Sequence, residues 1–142
     1  MTAQKLAPGT AEWAAFVTAL STAGLPVDDL AATTQRFFVL EDGAAYGGFA
    51  YRGSVALLRS LVVAPERRRS GIGGAALDDL LGEIRRAGAA EVWLLTMGAA
   101  DFFARHGFRA VDRRSAPALV KDSAQFSTLC PASAVLMCKT LV

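Results

Sequence analysis

The sequence predicts a mixed α/β fold, with a central sheet covered by helices on both faces, and three observations carry that prediction. Residues 36–63 alternate apolar runs with tight-turn signals at Glu41-Asp42-Gly43 and Arg52-Gly53, as an antiparallel meander requires. Residues 72–87 switch to a 3.6-residue apolar period, the signature of an amphipathic helix. Glu91–Met97 then places apolar residues on both faces of a strand, which suits a sheet buried on both sides.

In chain order, Gln4–Leu6 reads as a short first strand ended by Pro8-Gly9. Thr10 is an N-cap for a helix over about 11–23, with Trp13, Phe16, Val17 and Leu20 on one face. Gly24 and Pro26 stop it, and Asp28 caps a short second helix through Thr34. Arg36–Glu41, Ala45–Tyr51 and Ser54–Val63 form the meander. The helix from Ile72 keeps Ala76, Leu77, Leu80, Leu81 and Ile84 inward; Arg85 and Arg86 suit its last turn and Gly88 its stop. A helix over about Ala99–His106 ends at Gly107, and Phe108–Asp112 resumes the sheet. A long loop or short helix runs through Cys130, and Ala134–Thr140 is the last strand. After the meander the order is therefore strand, helix, strand, helix, strand, strand.

A chain of 142 residues, 53% hydrophobic and 20% charged, fits one globular domain over 1–142. A net charge of +2 does not point to nucleic acid, although Arg67–Arg69 and Arg113–Arg114 form local basic patches. No apolar run approaches membrane-spanning length, and Pro8, Gly9 and Glu12 interrupt any signal-peptide core, so no membrane partner is expected. Cys130 and Cys138 form no paired framework, and the expectation is a reduced, cytoplasmic protein. A single histidine, His106, and no clustered ligands argue against a metal.

The most informative stretch is Leu61-Val-Val-Ala-Pro-Glu-Arg-Arg-Arg-Ser-Gly-Ile-Gly-Gly-Ala-Ala-Leu77, where an apolar strand enters a basic loop that turns glycine-rich as a helix begins. Free N–H groups at the positive end of a helix suit a phosphate or pyrophosphate. A P-loop is excluded because Gly73-Gly74 is followed by Ala75-Ala76, with no Lys-Ser/Thr. A dinucleotide fold fits poorly: Pro65–Ser70 separate strand from glycines, Ala76 replaces the third glycine, and the preceding strands are antiparallel.

Arg68-x-x-Gly71-x-Gly73, after a strand ending Leu61-Val62-Val63, closely resembles the acyl-CoA loop of the GNAT superfamily of N-acyltransferases. Ala99-Ala-Asp-Phe-Phe-Ala-Arg-His-Gly-Phe108 matches that superfamily's Ala-x-x-Phe-Tyr-x-x-x-Gly-Phe helix and turn. The spacing and element order agree along nearly the whole chain. The resemblance implies the GNAT fold and acetyl-CoA as co-substrate. Backbone groups of Arg68, Arg69, Ser70, Gly71, Ile72, Gly73 and Gly74 would cradle the pyrophosphate, glycine allowing close approach. Leu61, Val62 and Val63 would offer main-chain groups to the pantetheine arm, as an added strand does. Phe103 would lie against the cofactor and Thr96 beside the acceptor.

Acetyl transfer to an amine needs a neutral amine, a stabilised oxyanion and a protonated leaving thiolate. Two positions depart from the family pattern: Phe103 stands where a tyrosine often supplies that proton, and Thr96 where many relatives carry asparagine. His106, Tyr46 and Ser127 are the candidate catalytic groups, with Tyr51 a further donor; His106 also fits a capping or surface role, and Cys130 a buried thiol. Transfer by positioning alone is equally compatible.

Arg59 is the only charge in the apolar strand Ala56–Val63, so it must find a partner or face a wet cleft. A salt bridge to Glu41 or Asp101 and recognition of an acidic acceptor both answer that need. By the family resemblance the acceptor cleft borders this strand. Together with the polar segment Lys121–Ser133, these stretches resemble a GNAT subgroup found in arsenic-resistance operons, whose relatives acetylate organoarsenical or phosphinic amino acids. The reading is an acetyl-CoA-dependent N-acetyltransferase acting on the primary amine of a small, acidic, amino-acid-like molecule. The alternative is a catalytically silent acetyl-CoA-binding module. The apolar content permits a homodimer.

Overall fold

A computed structural model describes residues 4–7, 9–25, 35–64, 71–122 and 134–141. Seven strands form one mixed sheet: β1 (Gln4–Lys5), β2 (Gln35–Leu40), β3 (Ala45–Arg52), β4 (Val55–Val63), β5 (Glu91–Thr96), β6 (Arg109–Ala110) and β7 (Val135–Thr140). Among the described residues, four α-helices accompany them: α1 (Ala11–Thr22), α2 (Ile72–Arg86), α3 (Ala100–Arg105) and α4 (Ala118–Lys121). The spatial order is β1-β2-β3-β4-β5-β7-β6. Among the described strands, only β4 and β5 pair in parallel; the other pairs are antiparallel.

The periodicities translate directly into layers. Ala76, Leu77, Leu80, Leu81 and Ile84 of α2 bury against Phe38, Phe49, Leu58, Val92 and Leu94 on one face, where Phe103 of α3 joins them. Each large aliphatic side chain buried there contributes about 1.5–3 kcal/mol of apolar transfer. On the other face Phe16 and Leu20 of α1 pack on Phe37 and Val62, and Leu119 and Val120 of α4 pack on Leu57 and Trp93. Alternation along β5 therefore sends Val92 and Leu94 one way and Trp93 the other. Thr10 caps α1, its hydroxyl accepting from the Trp13 N–H at 3.1 Å.

Two expected elements change. The strand expected over Phe108–Asp112 contracts to Arg109–Ala110. Asp112 turns the chain away by accepting the Arg114 N–H at 2.8 Å, capping a 3-10 turn at Arg113–Ser115. The segment expected as a long loop or short helix contains that turn and α4, and its remainder, 123–133, lies outside the described residues, as does the helix expected from Asp28.

One irregularity marks β4. The register of β4 on β3 shifts between Gly48↔Arg59 and Tyr46↔Val62, so β4 carries an extra residue opposite Gly47. Ser60 adopts φ 62° there, the left-handed region that ordinary L side chains avoid. Just before this point β4 leaves β5. Their pairing stops at Leu57↔Trp93, although β4 runs on to Val63 and β5 to Thr96.

Candidate active site in the fork between two strands

The diverging strands open a cleft of about 1080 Å³ that reaches both sides of the sheet. Leu58–Val63 form one bank and Leu94–Met97 the other. Gly71, Gly73, Gly74, Phe102 and His106 close one end, while Ala23, Gly24 and Leu25 after α1 close the other. A strand edge without a neighbouring strand presents main-chain donors and acceptors to whatever enters.

At the helix end, Gly71 is the N-cap of α2 with φ 82°, and a Cβ there would meet nothing within 4 Å. Its glycine is required by backbone conformation. The first turn of α2 has N–H groups with no intrahelical partner and the positive end of the helix dipole. Gly73 and Gly74 also face α3. A Cβ on Gly73 would lie 3.3 Å from Phe102 Cε1, and one on Gly74 would lie 3.0 Å from His106 Cε1. These two glycines let α2 nest against α3. Phe102 packs on Phe103 and on the His106 ring, with centroid separations of 5.1 Å and 4.8 Å, making an aromatic wall. Phe103 itself is buried and meets Phe108 edge-on. Lys139 of β7 donates to the His106 carbonyl at 2.8 Å and pins the end of α3.

The opposite end is built from side chains. Arg59 is 3% exposed, and its Nε donates to Ser60 Oγ at 3.1 Å while a terminal nitrogen donates to Gln35 Oε1 at 3.0 Å. Its guanidinium carbon also lies 5.7 Å from the Phe37 ring centroid. Phe37 sits where a Gly48 side chain would be: a Cβ on Gly48 would fall on Phe37 Cδ1. Glycine at 48 thus admits the ring that flanks Arg59. Among the described residues, no ion pair joins Arg59 to Glu41 or Asp101.

The expected site residues therefore divide. Leu61, Val62, Val63, Gly71, Gly73, Gly74, Arg59, Thr96, Phe103 and His106 all line the cleft, and Ile72 begins α2 beside it. Tyr46 does not line it; its ring packs 5.4 Å from Phe16 under α1. Tyr51 accepts from Arg36 at 3.0 Å, also away from the cleft. Arg68, Arg69, Ser70, Ser127 and Cys130 lie outside the described residues. Sequence reasoning missed Gln35, Ser60 and Phe102. Phe102 was visible in the second motif; nothing local announces the other two.

Among the described residues, no group of His, Cys, Asp and Glu is placed to hold a metal ion, and no helix is long and apolar enough to cross a membrane.

Comparison with known proteins agrees with this fold. The gonococcal N-acetylglutamate synthase, solved with coenzyme A and N-acetylglutamate, superposes with a TM-score of 0.75 at 15% identity, covering 98% of this chain and 34% of that one. This chain thus spans about a third of that synthase's length. A Mycobacterium tuberculosis protein solved with CoA gives 0.72 at 24% identity, covering 91% and 93%. An aminoglycoside 6'-N-acetyltransferase solved with coenzyme A gives 0.73 at 14%, covering 100% and 98%. No curated protein matches the sequence. The acetyltransferase (GNAT) domain family matches residues 33–110, more than half of the 142. That stretch holds the bulged strand, the glycine-capped helix and the aromatic wall, and this chain belongs to the GNAT acetyltransferase family.

Proposed function

We propose that this chain is a single acetyltransferase domain that moves the acetyl group of acetyl-CoA to the primary amine of a small, acidic, amino-acid-like substrate. The observation that carries the acidic acceptor is Arg59, a buried guanidinium in the cleft wall, braced by Gln35 and Ser60. A planar fork held from two sides is suited to gripping a carboxylate or a similar oxyanion through paired hydrogen bonds. An organoarsenical or phosphinic amino acid meets the same requirement. The synthase neighbour's N-acetylglutamate, an acylated acidic amino acid, supports an acceptor of this kind.

Acetyl-CoA supplies an acyl carbon activated by a thiol leaving group. The residues present fit it: the αL Gly71 opens the first turn of α2 for a pyrophosphate, with Arg68, Arg69 and Ser70 preceding it in the chain. Leu61, Val62 and Val63 offer main chain to the pantetheine arm, and Phe102 and Phe103 wall it from water. Thr96 closes the opposite bank. Holding both reactants in one fork supplies much of the acceleration.

Free-thiol release from acetyl-CoA across a panel of acidic, neutral and basic primary amines tests this reading. Turnover concentrated in the acidic amines is expected. Binding of acetyl-CoA without turnover of any amine would instead indicate a silent binding module.

A further inference from the structure

The reaction must hand the leaving sulfur a proton, and Phe103 has none to give. We infer that the Ser60 hydroxyl is a catalytic group, a proton relay between the attacking amine and the departing thiolate. This rests on the acetyl-transfer reading above and adds the residue that moves the proton.

Four features of Ser60 converge. It is 8% exposed yet lines the cleft where β4 leaves β5. Its φ of 62° is strained for a non-glycine residue, and such strain concentrates at functional positions. The bulge there re-aims a side chain that regular alternation would send elsewhere. Finally, Ser60 Oγ accepts from Arg59 Nε at 3.1 Å, which leaves its own O–H to donate elsewhere.

That hydrogen bond also gives the relay its electrostatics. A cationic donor on Oγ stabilises negative charge as the serine proton departs. In the step, the amine lone pair attacks the thioester carbonyl carbon. The C–N bond forms and the C–S pair passes to sulfur. Ser60 delivers its hydroxyl proton to that sulfur, giving the free thiol, and takes the proton released by the nitrogen. The serine ends as it began, and one amine proton has moved to the thiol. The other polar side chains of the cleft fit this less well: His106 packs on Gly74 at the helix end, and Thr96 lies across the fork from Arg59.

Ser60→Gly tests the relay, because glycine accepts φ 62° and takes the hydroxyl away with the Cβ that the strained backbone disfavours. With an acidic amine that the parent enzyme turns over, kcat should fall about 100-fold, as for loss of a general acid–base group. The Michaelis constant for acetyl-CoA should stay within about twofold and the melting temperature should not drop, since strain is relieved. Ser60→Ala should lose a similar factor in kcat while melting lower. If Ser60→Gly instead keeps the parent kcat and raises only the Michaelis constant for the acidic amine, the serine merely orients Arg59 and the relay is wrong. A parent enzyme that turns over no amine would overturn the acetyl-transfer reading as well as the relay.

Discussion

The two ends of the cleft are made in different ways. The α2 end is shaped by backbone: a left-handed glycine, a helix N-terminus, and two further glycines nested under Phe102 and His106. The α1 end is shaped by side chains: Arg59 tied to Ser60 and Gln35 above the Phe37 ring. Backbone construction suits a ligand part that never varies, such as a pyrophosphate. Side-chain construction suits one that differs between enzymes, the acceptor. Damage at either end should therefore be read by a different substrate.

The largest effect is expected at Gly71. Gly71→Val forces a β-branched residue to φ 82°, displaces the first turn of α2 and should weaken acetyl-CoA binding in calorimetry by tenfold or more, since about 1–2 kcal/mol of strain falls on the binding turn. Gly53→Val supplies the control. Gly53 also has positive φ, 60°, with nothing within 4 Å, but does not line the cleft. It should lower the melting temperature and leave acetyl-CoA affinity unchanged. Equal loss of affinity in both variants would show that stability, not the α2 turn, controls binding.

Arg59→Lys comes next and should act on the other substrate. Lysine keeps the charge and loses the fork, and one charge-assisted contact is worth about 1.5–3 kcal/mol. The Michaelis constant for an acidic amine should rise by one to two orders of magnitude, with that for acetyl-CoA scarcely altered. Equal changes in both constants, with a lower melting temperature, would make Arg59 a structural residue.

Smaller still is Gly74→Ala. The added Cβ meets the far edge of the His106 ring at 3.0 Å, and an imidazole can give way. Acetyl-CoA affinity should weaken roughly three- to tenfold, about the effect of 1 kcal/mol, with the acceptor constant unchanged. The smallest effect belongs outside the cleft. Arg114 lowers the pKa of the Asp112 carboxyl through a side-chain hydrogen bond, helped by the Arg114 backbone N–H, and both groups are open to solvent. A lowered carboxylate pKa contributes stability above the unfolded pKa and loses it as pH falls through the folded one. At such exposure Arg114→Ala should scarcely move the melting temperature at neutral pH and should leave both Michaelis constants unchanged.

The same division explains what could be read from the sequence. The α2 end was legible because its constraints are local. Gly71 stands where a loop becomes a helix, and the apolar period of Ile72–Arg86 marks which side is buried. The alternation in Glu91–Thr96 likewise announced a sheet covered on both faces. The α1 end was legible only as an anomaly, a lone arginine in an apolar strand. Its partners depend on tertiary register: Gln35 reaches Arg59 from β2, across β3, and Ser60 takes a positive φ that serine has no intrinsic tendency to adopt. The bulge lies where β4 pairs against Gly47-Gly48, and the hairpin's turn signal does not say where its register will shift. Tyr46 was misplaced for the same reason. A strand tyrosine advertises a hydroxyl, but which layer it enters is decided by the helix that covers it, here through Phe16.

One measurement bears most directly on acetyl transfer to an acid-bearing amine held by Arg59. It compares kcat/KM for an acidic amino acid and for its methyl ester, in the parent enzyme and in Arg59→Lys. The parent should prefer the acid by about 10- to 100-fold, the worth of one charge-assisted contact, and that preference should collapse in the variant. Equal turnover of acid and ester by the parent, or a preference that survives the substitution, would contradict the assignment.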